Sequence, residues 1–338
     1  MKKHAIIPIF IPHIGCPNDC VFCNQKKITA KINPPSKEDI VDIIERNLKT
    51  IINRNIETIE IAFFGGSFTG IPLDEQISYL SIAKKYKDEG FINKIHLSTR
   101  PDYIDDKILT NLKEHSVDII ELGVQSFDED VLRLSGRGHN AQVVYSSSKL
   151  IKEYGFELGL QLMIGLPGDS YEKDIYSANE AVKIGPSIAR LYPTIIIYDT
   201  ALYDMYKKGS YTPLSADEAV KNTKDMYKIL KNAGINVIRI GLKSTDYINE
   251  NGQVTGGTYH PAFRQLVESE LAKEHLENQL LKSQINNSKI NFVSNSKCFS
   301  YMIGNNKSNK IYFKEKYPNF SFKFKVNPNL KDDEYLLL

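Results

Sequence analysis

Three of the four cysteines in this 338-residue chain lie within one short segment, at Cys16, Cys20 and Cys23. Their spacing is C-x3-C-x2-C, and the segment follows the first apolar run of the sequence. Gly15 and Pro17 oppose regular secondary structure there, so we expect a loop. An odd number of close thiols does not make a disulfide framework, because one disulfide would leave a thiol unused.

Two kinds of metal site can use such a segment. A tetrahedral zinc site needs four ligands, and the missing one would come from His13 or from a distant residue. A [4Fe–4S] cluster held by three thiolates leaves one iron open to a substrate or cofactor. The spacing favours this cluster over zinc and over ordinary reduced thiols. Phe22 would then offer a planar side chain to the base of a nucleoside ligand, and Cys298 is expected to be a plain, partly buried thiol.

Composition narrows the class of protein. Hydrophobic residues make up 41% of the chain and charged residues 25%, which are ordinary values for a globular protein with ample core. The net charge of +2 gives no global signature of a nucleic-acid binder. The first 15 residues are too short and too interrupted by proline for a signal peptide or a membrane span. We therefore expect a soluble, cytoplasmic protein without a membrane partner, in which clustered cysteines bind metal or do redox chemistry.

The first two hundred residues alternate between strand and helix patterns. Strands are predicted at 5–11, 58–64, 94–98, 118–124, 157–165 and 188–193. Helices are predicted at 36–52, 74–89, 105–115, 141–154 and 170–184. This alternation predicts an α/β fold with a parallel sheet, and six strands fit a partial (β/α)6 TIM-type barrel better than a complete one.

The alternation weakens after Pro193. Helices are predicted at 200–208, 215–233 and about 261–282, and a further strand at 236–242. We expect a partial barrel over residues 1–243 and a small α+β C-terminal extension over 244–338 that closes the barrel opening.

The ends of the first five predicted strands carry cysteines, glycines or polar side chains. The cysteine loop follows the first strand. The ends of the next four strands carry, in order, Gly65, Gly66 and Ser67; Ser98 and Arg100; Gln125, with Arg137 further along the chain; and Gln161. The carboxyl ends of parallel strands meet at one rim, where ligands of barrel proteins collect. Turn chemistry explains each feature singly, but not the series.

In combination these motifs resemble the radical S-adenosylmethionine (SAM) superfamily. C-x3-C-x-Phe-Cys after the first strand and Gly-Gly after the second carry the likeness. The motifs "GGSFTG", "TRPDYI", "ELGVQSFDEDVL", "GRGHN" and "MIGLPGDSYEKD" resemble the radical SAM domain of the Elongator catalytic subunit, from about Pro8 to Leu242. "GVQSFD" and "GLPG" are more loosely similar to oxygen-independent coproporphyrinogen dehydrogenase.

The resemblance implies two cofactors, a [4Fe–4S] cluster on the three cysteines and SAM on the open iron. Gly65 and Gly66 would accept the SAM ammonium through their carbonyls, and Gln125 and Arg137 would contact its ribose and carboxylate. The whole predicted SAM site is Phe22, Gly65, Gly66, Ser67, Ser98, Arg100, Gln125, Arg137 and Gln161. An electron donor such as flavodoxin or ferredoxin would drive cleavage of SAM to a 5′-deoxyadenosyl radical, which removes hydrogen from a substrate.

The chain departs from the Elongator pattern at two points. Ser98 stands where that family usually has Glu, so a carboxylate contact to SAM is lost or supplied elsewhere. We also expect the residues after position 243 to be too few for an acetyltransferase domain. Acetyl transfer is therefore not carried over.

Three hypotheses for function remain open. The first is a radical SAM enzyme acting on a nucleobase, nucleoside or tRNA-modification intermediate, for example a radical lyase in queuine-type deazaguanine salvage. The second is a tetrapyrrole-related enzyme of the coproporphyrinogen type, and the third a non-enzymatic Fe–S or zinc module. The net charge favours a small base over tRNA as the partner. Candidate substrate contacts are Arg239, Lys243, Tyr259 and His260.

Overall fold

The computed structural model describes residues 3–11, 20–24, 34–242, 244, 248–249, 252, 254–256, 258–283 and 289–338. The strands are β1 His4–Ile11, β2 Thr58–Gly65, β3 Lys94–Thr99, β4 Ile119–Gln125, β5 Glu157–Ile164, β6 Ile188–Pro193, β7 Ile196–Ile197, β8 Asn236–Ile240, β9 Val254–Thr255, β10 Lys289–Ser294, β11 Ser321–Val326 and β12 Tyr335–Leu337. The helices are α1 Lys37–Ile51, α2 Leu73–Asp88, α3 Asp106–Glu114, α4 Glu129–Leu134, α5 Ala141–Glu153, α6 Tyr171–Ile184, α7 Ala201–Lys207, α8 Ala216–Asn232, α9 Phe263–Lys282, α10 Phe299–Ile303 and α11 Ser308–Lys316.

Seven parallel strands form the main sheet, in the order β1-β2-β3-β4-β5-β6-β8. The six predicted strands occupy consecutive positions, which confirms the partial-barrel prediction. The strand predicted at 236–242 is β8, and it pairs in parallel with β6. The sheet therefore contains one strand more than the six assigned to the barrel.

The sheet is curled. The Arg190 guanidinium on β6 lies 4.6 Å from the centre of the Phe64 ring on β2. These strands are four positions apart, which in a flat sheet would separate them by about 19 Å. The contact identifies the concave face, on which Phe64 and Arg190 both lie.

Helix α1 shows how the local sequence sets the elements around the sheet. Ser36 Oγ accepts a hydrogen bond from the Asp39 amide, and the Asp39 carboxylate accepts one from the Ser36 amide. This capping box stabilises the first turn. Ile40 and Ile44 are fully buried in the main core. The first five predicted helices agree with the observed ones to within one residue at each end.

Helix α4 was not predicted from the sequence, and neither were the two helices α10 and α11 near the end of the chain. Asp128 caps α4 by accepting a hydrogen bond from the Val131 amide at 3.0 Å. Its end at Leu134 leads into the segment Ser135 to Arg137, which lies on the site described below.

The C-terminal part contains helices and strands, as predicted. Strand β10 pairs in parallel with β11 and antiparallel with β12. Helix α9 contributes Phe263 and Val267 to the main core, and Leu276 and Leu280 to a second core around Phe292. The helix thus joins the two cores, and the boundary at 243/244 stays a prediction. Among the described residues, no helix has the length and apolar character needed to span a membrane.

Candidate active site

The glycine pair after β2 lies against the end of β1. The Gly66 amide donates to the Ile11 carbonyl at 2.8 Å, and Gly65 is paired with Ile11 in the sheet. Gly65 has φ 109°, and a Cβ there would lie 2.4 Å from the Ile11 carbonyl oxygen. Glycine is therefore required at the end of β2, beside Ile11, the last residue of β1. Both glycines remain partly exposed, so a ligand can approach their backbone.

The described part of the cysteine segment is a turn held between two distant elements. The Cys23 amide donates to the Cys20 carbonyl at 2.9 Å. The Val21 amide donates to the Ser135 carbonyl after α4, and the Val21 carbonyl accepts from Leu202 in α7. Cys20 is buried and Cys23 is partly exposed.

One of the three predicted cluster ligands, Cys16, lies outside the described residues. His13, the ligand considered for the alternative zinc site, lies outside them as well. Within the described ranges, no group of three His, Cys, Asp or Glu side chains is arranged to hold a metal. The three-cysteine site therefore stays a prediction for which two of the three thiols are located. Phe22 packs against an apolar cluster that includes Ile196 and Leu202, and its contact with a nucleoside base also stays a prediction.

Arg137 points its positive charge at the cysteine turn. Its Nη1 donates to Cys20 Sγ at 3.3 Å, and its Nη2 donates to the Gly123 carbonyl. Its Nε lies 3.3 Å from His139 Nε2. Burial, together with the charge of Arg137, lowers the pKa of His139 to about 4, so the neutral ring can accept this hydrogen bond. A guanidinium beside sulfur stabilises negative charge on it.

Arg100 braces this arrangement. Its guanidinium forms two hydrogen bonds with Asp102, at 2.9 and 2.8 Å, and donates a third to the Arg137 carbonyl. Burial disfavours the Asp102 carboxylate, but Arg100 holds its pKa below the usual value. The Arg100 fork thus already binds a carboxylate of this chain, and its predicted contact with SAM stays a prediction. Ser98 and Ser67 are buried nearby in the rim.

Gln125 ends β4 in a strained conformation. Its φ is 73°, in the left-handed region, and the pairing of β4 with β5 shifts register between Gly123 and Gln125. The side chain is 8% exposed, and within the described residues its Oε1 has no hydrogen-bond partner. Bulges redirect side chains, and strained residues with unsatisfied polar atoms are typical of ligand sites.

A polar network on the concave face, in which Glu121 lies at the centre, was not predicted from the sequence. Glu121 accepts hydrogen bonds from Arg190 Nε at 2.8 Å and from Gln161 Nε2, and His96 Nε2 lies 3.4 Å away. Burial alone would raise the pKa of Glu121, but Arg190 and His96 lower it to about 2. Further down the sheet, His96 Nδ1 lies 2.7 Å from the Glu60 carboxylate. Gln161 is therefore engaged by Glu121, and its contact with SAM stays a prediction.

The predicted substrate contacts fall into two places. Arg239 lies on β8, paired in register with Arg190. Tyr259 and His260 belong to the segment after β9: Tyr259 Oη is 2.8 Å from Ser244 Oγ, and His260 Nδ1 accepts from the Ala262 amide. These two side chains have local partners, and Lys243 lies outside the described residues.

The segment after β6 is joined to the segment before α9. Strand β7 pairs antiparallel with β9, and the Thr258 hydroxyl donates to the Thr194 carbonyl just past the end of β6. Residues 254–256 and 258 thus lie beside the carboxyl end of β6.

Comparison with known proteins gives a family. Residues 10–178, half of the chain, match the model of the radical SAM superfamily, and residues 186–273 match that of a radical SAM C-terminal domain. Elongator complex protein 3 of Dictyostelium discoideum is 29% identical over 219 residues, covering 58% of this chain and 38% of that protein. A tRNA uridine(34) acetyltransferase of Methanocaldococcus infernus is 28% identical over 185 residues, covering 49% and 35%.

A solved structure shows the same fold. Archaeal Elp3 of Methanocaldococcus infernus, with an N-terminal deletion, matches with a TM-score of 0.64 over 82% of this chain and 64% of that one, at 20% identity. The chain spans less than two fifths of the length of either sequence relative above.

Proposed function

The chain belongs to the radical SAM superfamily, and from that premise we propose that it is an enzyme that cleaves SAM reductively at a [4Fe–4S] cluster. The reaction would remove a hydrogen atom from a nucleobase, a nucleoside or another intermediate of tRNA modification. The observation that carries the proposal is Gln125, a buried amide in strained backbone whose Oε1 has no partner among the described residues.

The described residues fit these cofactors. Gly65 provides partly exposed backbone at the end of β2, Gln125 provides an unsatisfied acceptor, and Arg137 provides a positive charge beside Cys20. Cys16, Cys20 and Cys23 would hold the cluster. The carbonyls of Gly65 and Gly66 would accept the SAM ammonium, Arg137 would bind its carboxylate, and Gln125 would accept from its ribose. When bound, the cluster and SAM supply a 5′-deoxyadenosyl radical after one-electron reduction.

The chain itself would position the substrate and exclude water. The sheet supplies a rigid concave face, and the β7/β9 pair brings residues 254–256 beside the carboxyl end of β6. We propose that residues 244–338 close the barrel opening. This arrangement would keep a reactive radical away from solvent.

For the substrate, we propose a modified base rather than a whole tRNA. The likeness to a protein named as a tRNA uridine(34) acetyltransferase supports this general class. The specific form of the proposal is a radical lyase that removes the cyclopentenediol group of a queuine-type deazaguanine. An electron donor of the flavodoxin or ferredoxin type would serve the cluster.

The test is anaerobic reconstitution with iron and sulfide, followed by SAM and dithionite. We expect 5′-deoxyadenosine and methionine to form. If no 5′-deoxyadenosine forms while the cluster is fully loaded, the proposal is wrong. Queuine, guanine and bulk tRNA should then be compared by thermal shift, since a ligand of the folded state raises Tm. Stabilisation by tRNA alone would contradict the small-base proposal.

Replacement of Gln125 by glycine separates strain from function. We expect the free energy of unfolding to rise by about 0.5 kcal/mol, because relief of the left-handed strain exceeds the entropy that glycine adds to the unfolded chain. SAM affinity should fall by about tenfold, since the amide is lost. Urea unfolding and equilibrium dialysis with the cluster-loaded protein would measure the two effects.

Ser116→Gly is the matched control, because Ser116 also has a positive φ, 57°, and follows α3 at the other end of the sheet. It should gain similar stability and keep the wild-type SAM affinity. Equal SAM affinity in the Gln125→Gly variant and the wild type would show that Gln125 does not contact SAM.

A further inference from the structure

Two arginines, Arg190 and Arg239, lie side by side on the concave face of the barrel. Glu121 forms an ion pair with Arg190. We propose that Arg239 binds an anionic oxygen group of the substrate, a carboxylate or a phosphate. The proposal rests on the broader function proposed above, for a nucleobase, a nucleoside or another intermediate of tRNA modification, and it requires a member of that class that carries an anionic group. Queuine carries neither a carboxylate nor a phosphate, so an anion preference at Arg239 would favour a carboxylated or phosphorylated base over queuine. Five observations support the proposal: the register of the strands, the position of Tyr192, the balance of charge, the exposure of the side chains, and the depth of Arg239 below the rim.

The register places Arg239 on the concave face. Arg190 of β6 pairs with Arg239 of β8, just after a register shift in the pairing of these two strands. The next pair, Leu191 and Ile240, is buried in the main core. Since successive side chains of a strand alternate between faces, both arginines point to the opposite face of the sheet. Since Arg190 contacts Phe64 across the concave face, Arg239 points into the barrel as well.

Tyr192 lies close to Arg190 and within electrostatic range of Arg239. Its hydroxyl lies 3.3 Å from Arg190 Nη1. Burial raises the pKa of Tyr192, and the charges of Arg190 and Arg239 both oppose that shift. The Arg239 charge therefore lies within electrostatic range of the phenol that Arg190 contacts.

Arg239 is the positive group on this face for which the described residues provide no ion-pair partner. Glu121 is the ion-pair partner of Arg190, and it is shared with His96. In the part of the chain that the structure describes, no carboxylate lies within ion-pair distance of Arg239. Like charges at directly paired positions destabilise a sheet, so an anion between the two guanidiniums would be favourable.

The exposure of the side chains changes along the same face. Glu60, His96 and Glu121 are all 2% exposed or less. In the row above, towards the carboxyl ends of the strands, Gln161 and Arg239 are partly exposed, and so are Met163 and Tyr192 one step further on. The lower part of the barrel is therefore filled, while the level of Arg239 is open to a ligand.

The position of Arg239 also suggests how the substrate is oriented. Gly123, Gln161, Arg190 and Arg239 form one row across four strands. Gln125 ends β4 two residues beyond Gly123, which is about 7 Å nearer the rim. An anion on Arg239 would thus lie below the rim, directly above the filled lower part of the barrel. The reacting carbon of the substrate would face the rim, where the cofactors are proposed to bind.

The test compares planar probes with and without an anion. Orotate is uracil with a carboxylate, and uridine 5′-monophosphate is uridine with a phosphate. We expect at least one anion to bind the cluster-loaded protein about tenfold more tightly than its neutral parent in equilibrium dialysis. The pair that shows the difference identifies the anion as carboxylate or phosphate.

Arg239→Gln should remove that preference, and Arg239→Lys should retain part of it, because the charge remains but the planar fork is lost. Arg133→Gln is the control, since Arg133 is an exposed arginine paired with Asp130 on α4. It should keep the full preference. Equal binding of both members in both pairs, or a preference that survives in Arg239→Gln, would overturn the proposal.

Two further measurements keep the result interpretable. If Arg239→Gln does not fold, the salt dependence of the wild-type preference decides, because screening weakens an ion pair and leaves neutral binding unchanged. A preference independent of salt would then overturn the proposal. Formation of 5′-deoxyadenosine by the wild-type protein tests the proposed function separately, so the two failures are distinguishable.

Discussion

Replacement of Cys20 by alanine is expected to abolish the iron–sulfur cluster. Reconstituted wild-type protein should contain about four irons per chain. The Cys20→Ala variant should contain iron near background and form no 5′-deoxyadenosine, because two remaining thiolates cannot hold a cubane with one open iron. Iron and sulfide analysis with the visible absorbance of the cluster would measure the loss.

Cys298→Ala is the matched control. Cys298 is also buried, but it lies in the second core with Met302 and Phe292, and its sulfur accepts a hydrogen bond from the Asp333 amide. Its replacement should cost about 1 kcal/mol of stability and leave the iron content unchanged. Wild-type iron content in the Cys20→Ala variant would refute the ligand assignment, and loss of iron in Cys298→Ala would show that the fourth thiol takes part.

The same contrast shows why the cysteines were informative in the sequence. A cluster of thiols at fixed spacing in a loop indicates metal chemistry before any fold is known. Cys298 has no such neighbours; it was expected to be partly buried, and the structure buries it almost completely. Local spacing is enough to make the cluster prediction because all three predicted ligands come from one segment.

The strand ends could be predicted for a different reason. Alternating strands and helices imply parallel strands, and parallel strands bring their carboxyl ends to one rim. The sequence therefore placed Gly65, Gln125 and Arg137 on a shared rim without knowledge of their contacts. The sequence did not predict that Gln125 adopts a positive φ after a register shift. In a short apolar strand, the extra residue of a bulge does not change the hydrophobic pattern.

The concave face was harder to predict. Glu121 and Arg190 lie inside strands that otherwise consist of apolar residues. Buried parallel strands normally consist of continuous apolar residues, so a charge within one is a usable signal. The sequence did not say which charges pair, since Glu121 and Arg190 come from strands two positions apart. Their pairing depends on the curl of the sheet.

Arg100 shows the opposite difficulty. Its position after β3 and its planar fork both favoured a contact with a ligand carboxylate. In the structure the fork binds Asp102, only two residues further along the chain. A sequence shows which groups can pair, but only the backbone of the short turn after β3 decides whether the local carboxylate occupies the fork.

Replacement of Gly65 by alanine should remove both stability and SAM binding. The new Cβ would lie 2.4 Å from the Ile11 carbonyl oxygen, and φ 109° is unfavourable for any residue with a side chain. We expect the free energy of unfolding to fall by about 3 kcal/mol, since backbone strain and a clash with main-chain atoms add. Relief of the clash would move the end of β2 away from β1 and displace the carbonyls proposed to bind the SAM ammonium. Urea unfolding and equilibrium dialysis of SAM would measure the two losses.

Gly90→Ala is the control that separates strain from position. Gly90 has φ 78°, but a Cβ there would meet no atom within 4 Å, and the residue follows α2 away from the rim. Its replacement should cost about 1 kcal/mol and leave SAM affinity unchanged. If Gly65→Ala lost only as much stability as Gly90→Ala and bound SAM normally, strain alone would explain Gly65 and its place in the SAM site would be refuted. A larger loss of SAM affinity in protein that is still folded would instead show that SAM binding depends on the close fit of the end of β2 against Ile11.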